Sequence, residues 1–197
     1  SAFWQATDVL GVRLGYIQQK IKQDGIPEVD MNLPGKFQQV RLGVATGGKG
    51  DQYIRNDMDI TSLAVSYDFD WGSLKSVSSW INYEAESELD WAHAFETWAL
   101  PMSSKNIADE TVFTEEFKFT SDFDGSLQVI LGAYYEDRNY DFGGPVTWSG
   151  SQTSDLAGQR VGIETNRQYA IFGELSYQLT ETLSATVGAR AFEYEQS

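Results

Sequence analysis

Between Leu127 and Glu136 every second position is apolar. Leu127, Val129, Leu131, Ala133 and Tyr135 fall on one face, and Gln128, Ile130, Gly132, Tyr134 and Glu136 on the other. Period two over ten residues predicts a β-strand with two unlike faces. The same pattern returns from Leu183, where Leu183, Ala185, Val187, Ala189 and Ala191 oppose Ser184, Thr186, Gly188, Arg190 and Phe192. Tyr169, Ile171, Gly173, Leu175 and Tyr177 make a third such face, joined to the Leu183 strand through the short turn Leu179 to Thr182. Upstream, Leu63, Val65, Tyr67 and Phe69 run into a turn at Asp70 to Ser73. The return strand sets Val77, Ser79, Ile81 and Tyr83 against Ser78, Trp80, Asn82, Glu84, Glu86 and Glu88. Phe113, Phe117 and Phe119 mark a strand that turns at Asp122 to Gly125, and Val12, Leu14 and Tyr16 mark one near the start. The count is about seven strands, each about ten residues or more, against a usual five or six.

Tight turns near Trp71, Asp124 and Glu181 alternate with long polar segments at about 23–58, 88–111 and 143–165. Short turns at one end and long loops at the other are the signature of an antiparallel, up-and-down transmembrane β-barrel. In that setting the apolar faces meet lipid and the mixed faces line a hydrated lumen. Tyr16, Tyr67, Tyr83, Tyr135, Tyr169 and Tyr177 are then expected in the interfacial girdles. A soluble β-sandwich also alternates, and strand length is what favours the barrel over it.

Composition agrees: 14% aromatic residues, 18 Gly and only 4 Pro suit strands. No run of about 18 apolar residues occurs, so no transmembrane helix is predicted. With 29 acidic and 14 basic residues the net charge is −15, which disfavours nucleic acid as a partner. There are no cysteines, hence no disulfides or thiolate metal sites. The opening SAFWQATDVLGVRLGY lacks the basic start and apolar stretch of an export signal, so the chain is read as cytosolic or as lacking its beginning.

Three stretches together resemble the barrel of TonB-dependent outer-membrane receptors. Thr114 to Glu136, TEEFKFTSDFDGSLQVILGAYYE, is similar to a hairpin common in that family. Arg167 to Glu193, RQYAIFGELSYQLTETLSATVGARAFE, matches its Tyr-Ala-x-Phe strand, Leu-Thr turn and Gly-x-Arg strand. Leu63 to Tyr83, LAVSYDFDWGSLKSVSSWINY, looks like a third hairpin. The resemblance implies an all-β fold in which residues 1–197 form part of a barrel of about 22 strands. An odd count of strands cannot close a usual bacterial barrel, and no plug domain, TonB-contacting segment or closing aromatic-ended strand is recognised. The resemblance further implies a bacterial outer-membrane receptor that imports a scarce nutrient, such as a metal chelate (siderophore), vitamin or oligosaccharide. Its implied partners are outer-membrane lipid, the small-molecule substrate and the TonB complex acting through the plug. The alternatives are a soluble carbohydrate-binding β-sandwich and a small complete outer-membrane barrel.

Catalysis has no visible centre. His93 is the only histidine, no Gly-x-Ser-x-Gly elbow occurs, and no cofactor or metal site is expected. Gly43 to Gly50 nearly fits a phosphate-cradling loop, but Gly50 stands where Ser or Thr should hold magnesium and no helix follows, so it reads as a flexible loop. Trp91, His93, Trp98 and Trp148 fall in the long loops, where aromatic rings can stack on a ligand. Glu84 and Glu86 head an acidic strand face, read as hydrated lumen wall or outer rim with divalent-cation binding as the rival. These six residues are the candidate substrate contacts. The receptor reading predicts that the native polypeptide in an outer-membrane fraction has an intact mass several times 22.1 kDa. A native mass equal to that of this chain would sink it.

Overall fold

The computed structural model describes residues 1–25, 52–90, 102–148 and 156–197. They form one antiparallel sheet in the order β1-β2-β3-β4-β5-β6-β7-β8. The strands are β1 (Ala2–Gln5), β2 (Leu10–Asp24), β3 (Tyr53–Phe69), β4 (Gly72–Asp90), β5 (Met102–Ser121), β6 (Leu127–Trp148), β7 (Leu156–Thr180) and β8 (Leu183–Gln196). Every strand pairs with its neighbours in sequence, an up-and-down meander, and the order does not close on itself. Among the described residues no second sheet packs against it, and they form a single layer instead of a two-layer sandwich. The count is eight because four-residue β1, too short to show a period, pairs with β2 through Ala2 to Gln5.

All the short turns lie at one end of the sheet. Thr7 Oγ1 accepts from the backbone N–H groups of Val9 and Leu10 at 3.3 and 3.1 Å in the first. The Ser121 hydroxyl donates to Gln128 Oε1 at 2.7 Å, and Gln128 Nε2 donates to the Phe123 carbonyl at 2.8 Å, tying the β5–β6 turn. At the opposite end the strands run much further than the sequence pattern alone suggested. β3 to β7 are 17, 19, 20, 22 and 25 residues long. A bilayer needs only about 9–11 residues of tilted strand, so each of these hairpins projects well beyond it. Much of what reads as loop at 143–165 is therefore strand. Its alternation is real, but Gly, Gln, Glu and Thr dilute the apolar signal.

Registers settle the two faces. One carries Val12, Leu14, Leu63, Val65, Leu74, Phe117, Phe119, Val129, Leu131, Ile171, Leu175 and Val187, brought side by side across β2 to β8. These side chains are not a core. Ala170 is the only buried hydrophobic residue described, whereas Leu131 is 53% exposed and Ile171 67%. Holding that surface against water would cost about 25 cal/mol per Å², and against acyl chains almost nothing. The band therefore faces lipid. Two depressions on it, about 540 and 600 Å³, are open troughs over Ala133, Ala189 and Ala191.

Aromatic rings border the band on both sides. Toward the short turns, Tyr67, Phe69, Trp71 and Phe119 follow one another at centroid distances of 4.8, 5.1 and 5.4 Å. Toward the long hairpins, Trp80, Phe113, Tyr135 and Tyr169 form a chain across four strands at 5.3, 6.2 and 5.1 Å. The rows are about six to eight residues apart, roughly 20–26 Å along the strands, which suits an apolar band about 25 Å tall. Glu115 interrupts the band at the upper row, where the hydroxyls of Ser76, at 2.7 Å, and Ser78 donate to its carboxylate.

The register of β4 corrects two expectations. Ser78 pairs with Leu63 and Glu115, and Trp80 with Phe113, so Ser78, Trp80, Glu84, Glu86 and Glu88 continue the outward face. Glu84 and Glu86 are not lumen residues, and Tyr83 points into the lumen instead of joining a girdle. Ser76 and Ser78 dilute the apolar face of this strand, so Val77 and Ile81 on the inner face looked the more apolar. Lipid-facing sites should be intolerant of charge. In the full-length protein refolded into vesicles, Leu131→Arg is expected to lose about 2–4 kcal/mol of stability, as lipid-facing arginines near the midplane do. Ile130→Arg, one residue away on the inner face, should lose under about half of that; equal losses would overturn the face assignment.

Candidate functional site

The inner wall beyond the bilayer carries the densest chemistry. Period two continues past Glu136 in β6, placing Arg138, Tyr140 and Phe142 in a row on the inner face. Arg138 lies about 10 Å along the strand beyond the girdle residue Tyr135. Its guanidinium sits 5.5 Å from the centroid of Tyr140, whose ring stacks on Phe142 at 5.0 Å and 22°. Arg138 Nε also donates to Glu110 Oε1 on β5 at 2.5 Å, a bond that raises the guanidinium pKa above its ordinary value.

Small residues make room for the rings. Phe142 pairs with Ala108 on β5 and Gly162 on β7. A Cβ at Gly162 would collide with the Phe142 ring, so the ring lies over bare backbone. Gly132 beneath Phe172 repeats the arrangement nearer the short turns. Tyr140 has a carboxylate on each side, Glu110 on β5 and Glu164 on β7. Further out, Arg160 Nη2 donates to Asn106 Oδ1, and Asn106 Nδ2 donates to Ser87 Oγ at 3.2 Å. Below the stack, Arg190 reaches across buried Ala170 to lie 5.7 Å from the ring of Tyr134. Asn166, the cross-strand partner of Arg138, is 3% exposed and leaves Oδ1 without a hydrogen-bond partner. A buried unfilled acceptor costs about 1–3 kcal/mol.

The site residues expected from sequence are not brought to this wall. Trp91, His93 and Trp98 lie outside the described residues, as does the glycine-rich segment 43–50. Trp148 ends β6, its backbone opposite Met102. Glu84 is exposed on the outer face, in register with Asp57 and Asp109. Like charges facing one another across strands are unfavourable, and Lys20, 3.0 Å from Asp57, relieves part of that. No group of three or more His, Cys, Asp or Glu among the described residues is arranged to hold a metal ion. What sequence reasoning missed was the Arg138, Tyr140, Phe142 row. The signal was present, since RNYDF keeps period two, but it stood where a loop was expected to begin.

Glu86 stands on the outer face about 20 Å along β4 beyond the girdle residue Trp80, outside the bilayer. It accepts from the Tyr53 hydroxyl and lies 3.2 Å from Lys105 Nζ and 4.0 Å from Arg55. The Tyr53 hydrogen bond, with Lys105 and Arg55, holds the Glu86 pKa below its ordinary value. Burial first, then the Glu86 carboxylate, pushes Tyr53 up to about 12.

The family of the chain follows from a match over nearly its whole length. The family model described as "TonB dependent receptor-like, beta-barrel" matches residues 4–197, and the chain belongs to that family. Among solved structures, the chain is similar to the ferric yersiniabactin uptake receptor FyuA from Yersinia pestis, with a TM-score of 0.69 and 13% identity over 96% of this chain and 28% of that one. It is also similar to P. aeruginosa FpvA, solved bound to heterologous pyoverdines, with a TM-score of 0.60 and 11% identity over 99% of this chain and 29% of that one. At these identities the likeness is one of fold. The chain spans less than a third of the length of either receptor. No curated protein sequence matches significantly.

The Tyr53–Glu86 contact has a defined pH window. Its Glu86 part is present above the ordinary glutamate value of 4.5 and is lost as pH falls through the lower folded value. Its Tyr53 part is present below the ordinary tyrosine value of 10.0 and is lost as pH rises through about 12. Tyrosinate absorbance of the full-length protein, minus that of Tyr53→Phe, should titrate near pH 12. Glu86→Gln should move that step toward 10.0, and an unmoved step would exclude the carboxylate as a cause.

Proposed function

We propose that the parent protein is an outer-membrane receptor that imports a scarce nutrient, a metal chelate, vitamin or oligosaccharide, with energy delivered by an inner-membrane TonB complex. The observation that carries this reading is the division of the sheet into a girdled lipid face and a polar inner wall, in a chain of the TonB-dependent receptor family. A wall of this kind seals the bilayer with one face and offers hydrogen bonds to a solute with the other. FyuA is named as an uptake receptor for a ferric chelate and FpvA was solved with one, which supports the import of a small molecule too scarce to enter by diffusion alone. The described strands serve as wall, and the inner row at Arg138, Tyr140 and Phe142 lies where an entering solute first meets it. Trp91, His93, Trp98 and Trp148 stay in this proposal as candidate substrate contacts, and no residue acts as a catalyst.

Cells that express the full-length receptor are expected to accumulate its substrate against a gradient, and to stop when a protonophore collapses the inner-membrane potential or when TonB is deleted. Binding to the cell surface should survive both treatments. Accumulation indifferent to both would make the protein a passive pore or an adhesin.

A further inference from the structure

We propose that the stack formed by Tyr140 and Phe142 is a subsite for an uncharged, polyhydroxylated ring, so that the imported nutrient presents a sugar to this wall; the inference rests on the receptor reading above. Shape comes first. Phe142 is 38% exposed, and its cross-strand partners Ala108 and Gly162 carry almost no side chain, so the ring covers Gly162 and leaves part of its apolar surface open among the described residues. The near-parallel Tyr140 ring stacks on it at 5.0 Å, so the two rings stand as one aromatic stack with Arg138 at its other end. Pyranose rings carry patches of C–H groups that pack on such faces, as flat apolar ligands also do.

The charges around the stack decide between ligand classes. An anionic chelate would meet Glu110 and Glu164, one on each side of Tyr140. The guanidiniums that would attract it already have partners, Arg138 with Glu110 and Arg160 with Asn106. A cationic ligand would meet Arg138 over one end of the stack and Arg160 near the other. Neither net charge is therefore favoured. The rim instead presents donors and acceptors in turn: carboxylates at Glu110 and Glu164, guanidiniums at Arg138 and Arg160, and the amide of Asn106. A hydroxyl both donates and accepts, and a ring with several of them satisfies both kinds of neighbour without leaving a charge unpaired.

The test uses the full-length receptor in lipid nanodiscs, titrated calorimetrically with maltoheptaose, xylohexaose, cellohexaose and chitohexaose, and with ferric citrate as the anionic chelate. At least one neutral oligosaccharide is expected to bind. Tyr140→Ala and Phe142→Ala should each weaken it tenfold or more, Glu164→Gln about threefold, and Tyr140→Phe less than twofold. Heat-modifiable gel migration reports whether each variant still folds. Where an alanine variant does not fold, Gly162→Val, which displaces the Phe142 ring, takes its place. Absence of binding by every oligosaccharide overturns the proposal, as does ferric citrate binding that the Tyr140→Ala change weakens. Oligosaccharide binding untouched by the alanine variants overturns it too. Each of these results leaves energised uptake intact; loss of TonB dependence would instead overturn the receptor reading, whatever the ligand.

Discussion

Within hydrocarbon no water is available to a backbone N–H or C=O, and every such group must find its partner in the protein. Eight strands paired in sequence order meet that requirement along the sheet. Once the strands are paired, the pleat sends alternate side chains to opposite sides, and one side must be apolar because it replaces acyl contacts. The lipid band, both aromatic rows and the polar inner wall all follow from this one arrangement.

The same constraint explains why the inner wall can carry polar chemistry at all. A soluble domain of this size would need a buried core and would keep charges off it. Here the apolar residues discharge their role outward, and the inner face is free to hold Glu110, Arg138, Asn106 and Arg160 in hydrogen-bonded pairs. Beyond the upper aromatic row the outer face also turns polar. Tyr16 donates to Asp59 at 2.5 Å, Lys20 pairs with Asp57 at 3.0 Å, and Arg167 with Asp137 at 3.3 Å. Such exposed pairs add little stability individually. They mark where lipid ends and water begins.

Glycine and alanine shape the inner wall more than any charged residue does. Phe172 can cover Gly132, and Phe142 can cover Gly162, only because no Cβ stands in the way. Ala170 likewise lets Arg190 reach Tyr134. In each case a small residue on one strand sets the pose of a large one on the next.

The sequence by itself determined the all-β class, the strands nearest the short turns, the turns themselves and the family. Those features rest on period-two alternation and local turn chemistry, which are written in neighbouring residues. It did not determine the face of β4, because Ser76 and Ser78 weaken the apolar pattern, and only pairing with Leu63 and Phe113 through Phe119 decides which way Trp80 and Glu86 point. Nor did it reveal the Arg138, Tyr140 and Phe142 wall as a site. Glu110, Asn106, Arg160 and Gly162 are distant in sequence from those rings, and cross-strand register alone brings them together.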